Sequence, residues 1–392
     1  MRPRIVFIAA VLGAGALLAA RSRETFAVAP TGLPGARPTI QAIDHPSLQA
    51  AIDALPAEGG LVVLPPGTFE IDKPLRIERG DVLLRGAGTA THIKNLNTAG
   101  ASAITIGPRD YATNKQAKIW RVALADFRLT GNPQSGHGIE ALGVNEIYVN
   151  GLTISENGGD GIFLDNCYED PRITANILSY NKKSGLTALG VHDAVVAANH
   201  FEENLNAVRF INSFNLSMSG NNIDDHLGDC VIIEQTYGSF VSSNMIEECQ
   251  GAAVILDRNC YGITISANVI AHDGGGVDLR DAHGIAISAN TFTLVKAHAV
   301  RIGPKSGRIT VSANNFSNAY VGADAGDWRK GKAPASGVVL EGTTDVAITG
   351  NVFSGLSTPA VSRVGAKSRG ILLSGNLFVD NKSDPGKLTQ TR

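Results

Sequence analysis

The chain has 392 residues, 43% of them hydrophobic, 18% charged and only 6% aromatic, with 44 glycines and a formal net charge of −2. That length is ample for a soluble core of one to three domains, and the near-neutral balance excludes the broad basic field by which proteins attract nucleic acid. Few aromatics beside abundant Gly, Asn, Ile and Val suit stacked short strands rather than a helical bundle.

Arg2 and Arg4 precede an apolar run from Ile5 to Ala20, and Thr25-Phe26-Ala27 offers small residues for cleavage. Residues 1–27 therefore read as a secretory signal peptide. The mature protein is expected to be periplasmic or secreted, with no stable membrane insertion once the signal is removed. Residues 28–44, rich in Pro, Gly and Thr, read as a linker. His45-Pro46-Ser47 then opens a short helix through Leu55, with Ser47 as N-cap and Leu48, Ala51, Ile52 and Leu55 on one face. Such a helix would cover the open first coil of a stack and hide an edge that invites aggregation. Gly59-Gly60 ends it, residues 61–64 read as a buried strand, and residues 65–69 read as a turn.

A repeat then takes over. The pattern apolar-x-apolar-x-x-Asn-x-apolar places its asparagine at Asn176, Asn199, Asn221, Asn244, Asn268, Asn290, Asn314, Asn351 and Asn376. Successive gaps lie between 22 and 25 residues, apart from 37 after Asn314, and two earlier copies carry Phe127 and Leu152 at the same place. Recurrence at one period of this size is the mark of a solenoid. A second strand follows each copy after a short turn, as in Gly161-Ile162-Phe163-Leu164 and Gly276-Val277-Asp278-Leu279. Runs this short leave no room for crossover helices. Each period winds three strands into a coil, every strand pairing in parallel with its copy ~4.8 Å away. Stacked at one corner, the asparagines can bond one another and satisfy turn backbone that would otherwise be buried unpaired.

The stretch Leu48-Gln49-Ala50-Ala51-Ile52-Asp53-Ala54-Leu55, with Gly59-Gly60-Leu61-Val62-Val63-Leu64-Pro65-Pro66-Gly67-Thr68-Phe69, resembles the start of pectate-lyase-like right-handed parallel β-helix proteins. The asparagine file is similar to the ladder of that superfamily. The likeness covers nearly the whole mature chain. The expected fold is all-β: a single-stranded right-handed parallel β-helix of about 11–12 coils over residues 45–381, with an N-terminal capping helix and a disordered tail at 382–392. The superfamily includes polysaccharide lyases, glycoside hydrolases, uronate epimerases, phage tailspikes and non-catalytic binders, so fold alone leaves activity open. The resemblance also implies that the strand after the asparagine corner floors the substrate groove.

Charge along that strand agrees. Its outward positions hold Glu140, Asp165, Arg209, Glu234, Asp257 with Arg258, Asp278, Arg280, Asp281, Arg301 and Glu341, whereas the asparagine strands present mostly Thr, Ser and Ala. Scattered charge would be an ordinary solvated face, but one-sided charge favours a groove. Asp257 and Arg280 hold one position in adjacent coils, as do Asp278 and Arg301, so each pair should lie ~5 Å apart. The Asp257–Asp278 diagonal, ~8 Å, leaves room for a water between two carboxylates, the inverting arrangement. Alternatively Arg280 or Arg301 neutralises a uronate carboxylate and acidifies the neighbouring carbon, as a lyase or epimerase requires. Asp257, Asp278, Arg280, Asp281 and Arg301 are the catalytic candidates. Arg209, Glu234, Arg258, Trp328 and Lys330 are the substrate-binding ones, the last two within the insertion after Asn314. Surface ion pairs between coils would produce the same pattern.

Further signals are weaker. Asp224-Asp225-His226-Leu227-Gly228-Asp229 crowds carboxylates into one turn and resembles the Asp-Asp pair of polygalacturonase-type hydrolases. Gly136-His137-Gly138 precedes it, in the wrong order for that family. No cofactor is required, although those carboxylates could bind Ca²⁺. Glu169-Asp170-Pro171-Arg172 is a distant echo of the alginate-epimerase motif, and His192, His200, His272 and His283 fall in or near turns. Cys230 and Cys249 fall on neighbouring repeats and could pair in an oxidising compartment, the alternative being buried thiols. The partner expected is an acidic polysaccharide. Lyase or C5-epimerase chemistry leads, with a glycoside hydrolase or a non-catalytic carbohydrate-binding, cell-envelope protein as alternatives.

Overall fold

The computed structural model describes residues 33–319 and 334–382; the expected signal segment, Trp328 and Lys330 lie outside the described residues. From Arg37 onward the chain forms one unit in which three short strands recur in fixed order, each paired in parallel with its equivalent one coil on. The stacks make three sheets. Sheet I runs from Thr39–Gln41 to Arg369–Ser374, sheet II from Gly67–Ile71 to Leu377–Val379, and sheet III from Leu75–Ile77 to Val361–Val364. Fourteen strands of sheet I stand in one unbroken file, more than the 11–12 coils expected. The coils before Phe127 carry no asparagine, so counting asparagines misses them. Pairing begins at Thr39, against Leu61, inside the expected linker.

The helix spans Leu48–Asp53, two residues short of expectation, with Ser47 Oγ accepting the Ala50 N–H at 3.1 Å. Leu48, Ala51, Ile52 and Leu55 join the same apolar cluster as Val62 and Leu75. Residues 67–71 are a strand rather than a turn, because Phe69 and Ile71 pack against that cluster.

Alternation explains the core. In sheet I, Ile173, Val196, Met218, Val241, Ile265 and Ile287 follow one another across paired strands and are buried. In sheet II the inward file ends in Phe292, Phe316, Phe353 and Phe378, stacked with centroids 4.7–5.3 Å apart, the offset geometry that aromatic quadrupoles favour. At the corner between sheets I and II each asparagine from Asn176 to Asn351 donates its amide to the next coil's Oδ1, for example Asn244 to Asn268 and Asn268 to Asn290, both at 3.0 Å. The preceding residue takes a left-handed turn, φ +55° at Ala198, Ala267 and Ala289, a conformation costly for L-residues unless the surroundings enforce it.

A second, shorter ladder was missed. Asn157, Asn181 and Asn204 stack between sheets II and III, with amide–carbonyl contacts of 2.8 Å. His226, Cys249 and Asp273 interrupt it, and Asn381 resumes it by accepting the Leu356 N–H. Cys249 is joined to Cys230, with Cα atoms 5.9 Å apart, while Cys167 and Cys260 are buried thiols. No helix among the described residues is long and apolar enough to cross a membrane.

Candidate functional site

The outer side of sheet III is assembled by register. Two outward files run along it. One passes through Thr105, Glu140, Phe163, Thr187, Arg209, Ile232, Ile255, Asp278 and Arg301. The other includes Asp165, Glu234 and Asp257. Parallel pairing therefore places Asp278 beside Arg301, as expected. Ile255 and Asp278, though outward, are 1% and 6% exposed. A desolvated carboxylate needs full compensation, and Asp278 receives it: Arg280 Nε donates to Oδ2 at 2.9 Å and Arg301 Nη1 to Oδ1 at 2.8 Å. Arg301 also donates to Glu341. Arg280 was expected beside Asp257, but it turns back along its own strand to Asp278.

The remaining predicted residues divide. Glu234 is clamped by Arg209 at 3.3 Å and by Arg258 at 3.2 Å. Arg258 has φ +55° and so returns toward the previous coil. Asp257 enters none of the described ion pairs; its Oδ1 accepts the Arg258 N–H at 2.8 Å. Asp281 stands past the end of the strand, and its described partner is His283, at 3.9 Å. The cluster brought together is thus Asp278, Arg280 and Arg301, with a second group at Arg209, Glu234 and Arg258; Asp257 stands one coil before Arg280 and enters neither set of ion pairs.

His298 was not foreseen. It occupies the position just before the sheet III strand that Ser184, Asn206 and Asp229 hold in other coils, and its ring lies against Gly275, where a Cβ would stand 3.1 Å from Nε2. Burial holds its pKa below the ordinary value, opposed by Asp278 and supported by Arg301 and Arg280. Its Nε2 is buried without a hydrogen-bond partner among the described residues. The position is polar at Ser184, Asn206 and Asp229 but holds Ala252 and Gly275 in the two coils before His298, so no continuous polar file points to it.

The Asp224–Asp229 turn does not converge. Asp224 and Asp225 lie on the sheet II side, where each can bring an oxygen within 4.8 Å of Glu248. Burial, then repulsion from Asp225 and Glu202, raises Asp224. His226 turns inward, its pKa lowered to about 4 by burial. Asp229 Oδ1 accepts the Ala252 N–H at 2.8 Å. Among the histidines, His192 stacks on Tyr168 with centroids 5.2 Å apart, His200 lies 3.4 Å from Glu202, and His272 lies 3.0 Å from Glu247.

The sequence matches the family described as "Right handed beta helix region" over residues 102–259, 161–316 and 229–392, together spanning 102–392. No curated protein matches it. Among solved structures it resembles the catalytic unit of a thermostable GH87 alpha-1,3-glucanase from Streptomyces thermodiastaticus strain HF3-3, with TM-score 0.58 and 16% identity, covering 90% of this chain and 71% of that one. It also resembles the Dettilon tailspike protein, with TM-score 0.54 and 12% identity over 87% and 68% of the two chains. A mutant DFA-IIIase from Arthrobacter chlorophenolicus A6 aligns with TM-score 0.51 and 12% identity over 86% of each. At these identities the likeness is one of fold.

Proposed function

The chain belongs to the right handed beta helix region family, and from that scaffold we propose that it is an exported protein acting on an acidic polysaccharide laid along the outer side of sheet III. The observation that carries this reading is the pair of guanidiniums, Arg280 and Arg301, anchored on one sheltered carboxylate, Asp278. A carboxylate bearing two guanidiniums is a device for holding cations still, and fixed cations stabilise charge that develops in a reaction. The chemistry we favour is removal of the proton next to a uronate carboxylate. The arginines neutralise that carboxylate, and Asp257 and His298 serve as proton carriers. An eliminating lyase and a C5-epimerase share this first step.

A glycoside hydrolase is the second reading, favoured by the ~8 Å diagonal between Asp257 and Asp278. Against it, both Asp278 oxygens are already occupied by guanidiniums. The fold likeness to a glucanase, a tailspike and a DFA-IIIase supports carbohydrate as the partner. It does not choose among these chemistries.

The test is a panel of purified polyuronates and neutral glycans, followed by ultraviolet absorbance of unsaturated products, by reducing ends and by C5 inversion. Unsaturated or inverted uronate is expected, falling on the order of 100-fold in Arg301→Ala. Reducing ends without unsaturation would establish the hydrolase instead. Binding without turnover would make the protein a carbohydrate-binding module, in which Asp278→Ala is silent.

A further inference from the structure

Near the N-terminal end of sheet III the turn into the sheet opens a cleft of about 460 Å³, lined by Arg76, Ser102, His137, Glu140 and Lys183. Its floor is bare backbone. A Cβ at Gly136 would stand 2.5 Å from the Gly100 carbonyl oxygen, and one at Gly158 would stand 2.3 Å from that of Ser135. Glycine there lets the neighbouring coils close up.

The polar groups above that floor are set in advance. Ser102 Oγ donates to Glu140 Oε2 at 2.9 Å, leaving the carboxylate's other lone pairs to accept. The Asp160 N–H donates to His137 Nδ1 at 3.0 Å, with Asp160 Oδ2 3.2 Å from the same nitrogen. The ring stacks on Phe163 with centroids 4.7 Å apart. With Nδ1 accepting the Asp160 N–H, the ring proton sits on Nε2, which is then a donor. Arg76 and Lys183 are exposed. Unlike Arg209, Arg258, Arg280 and Arg301, each held by a carboxylate, they enter none of the described ion pairs.

Two unpaired cations, an accepting carboxylate and an imidazole donor, set along a concave floor, match sugar rings that carry their own carboxylates. Arg76 and the strand that Lys183 precedes are four coils apart in the file, so each cation takes the anion of the ring nearest it, while Glu140 and His137 take hydroxyls. We propose that this cleft is a second uronosyl-binding site on the same face, six coils from the Asp278 cluster. The inference rests on the acidic-polysaccharide reading above. Arg76, Thr105 and Glu140 belong to the outward file that continues through Arg209 to Asp278 and Arg301. One chain laid along the axis therefore meets both sites, ~29 Å apart at ~4.8 Å per coil.

Calorimetric titration with trigalacturonate tests the assignment on the full chain, on Arg76→Ala/Lys183→Ala and on Arg280→Ala/Arg301→Ala. Arg76 and Lys183 are exposed and unpaired, so the first variant is expected to melt with the parent. The parent should bind two trisaccharides and each double variant one, the lost event weakening at least 10-fold. If Arg76→Ala/Lys183→Ala keeps every event of the parent, the cleft is not a site, and the reading of the Asp278 cluster stands on its own result. A single parental event lost only with Arg76 and Lys183 supports the cleft and removes the Asp278 cluster from sugar binding. No event in the parent overturns both.

Discussion

Asp273 stands where the second asparagine file would hold an amide. It is fully buried; its Oδ1 accepts the Cys249 N–H at 2.8 Å, and its Oδ2 has no hydrogen-bond partner among the described residues. Burial pushes this carboxyl well above the usual range, with the Cys249 N–H and Lys296 opposing and Glu247 and Glu248 adding to the rise. The unfolded value is near 3.9, so between pH ~4 and the raised folded value the native state keeps a proton that the unfolded chain releases. Stability therefore falls as pH rises through that window. Asp273→Asn keeps the acceptor for Cys249, replaces the orphaned oxygen by a donor and removes the titration. It should melt with the parent near pH 4 and be more stable by about 1–3 kcal/mol at pH 8, read from thermal melts at both. An equal gap at both pH values would refute the titration argument.

At the scale of the element, the asparagine corner holds the stack together. Asn268 donates from Nδ2 to the Val241 carbonyl and to Asn290 Oδ1, and its Oδ1 accepts the Asn244 N–H, each at 3.0 Å. Removing it orphans buried groups on two neighbouring coils, each costing about 1–3 kcal/mol. Asn268→Ala should therefore lose about 2–5 kcal/mol in urea unfolding, and Asn376→Ala, half-buried at the open end, clearly less. Equal losses would mean that the ladder does not act through burial. This corner was legible because one asparagine per coil over nine coils sets a period of 22–25 residues that only the 37-residue gap after Asn314 interrupts. The second ladder was not legible, because Asn157, Asn181 and Asn204 run for three coils before His226 breaks them. Register is countable, so Asp278 beside Arg301 followed from spacing alone. Side-chain direction at a turn is not countable. Arg258, at positive φ, reaches back to Glu234, and Arg280 prefers the desolvated Asp278 two residues away over Asp257 one coil back. His298 escaped because its position precedes the strand by a residue or two.

For the whole molecule, a solenoid's coils are nearly interchangeable units whose stability is a sum of neighbour terms. Ala207 and Cys230 hold equivalent positions, since Val208 pairs with Val231. Deleting residues 207–229 therefore joins Asn206 to Cys230 in register and removes one coil, leaving the His137–Glu140 cleft and the Asp278 cluster intact. It also leaves the Cys230–Cys249 bridge between coils that remain neighbours. The variant should keep a cooperative transition and a β-sheet circular dichroism spectrum at a lower Tm, having lost one interface. The two sugar-binding groups would then be five coils apart instead of six, a contraction of ~4.8 Å. If one chain engages both groups, the shortest oligogalacturonate that binds more tightly than the trimer becomes shorter in the deletion variant. That threshold is a geometric quantity, insensitive to a uniform change in affinity. An unchanged threshold in a well-folded variant would show that the two groups bind separate chains, and that the face of sheet III is not read as a single track.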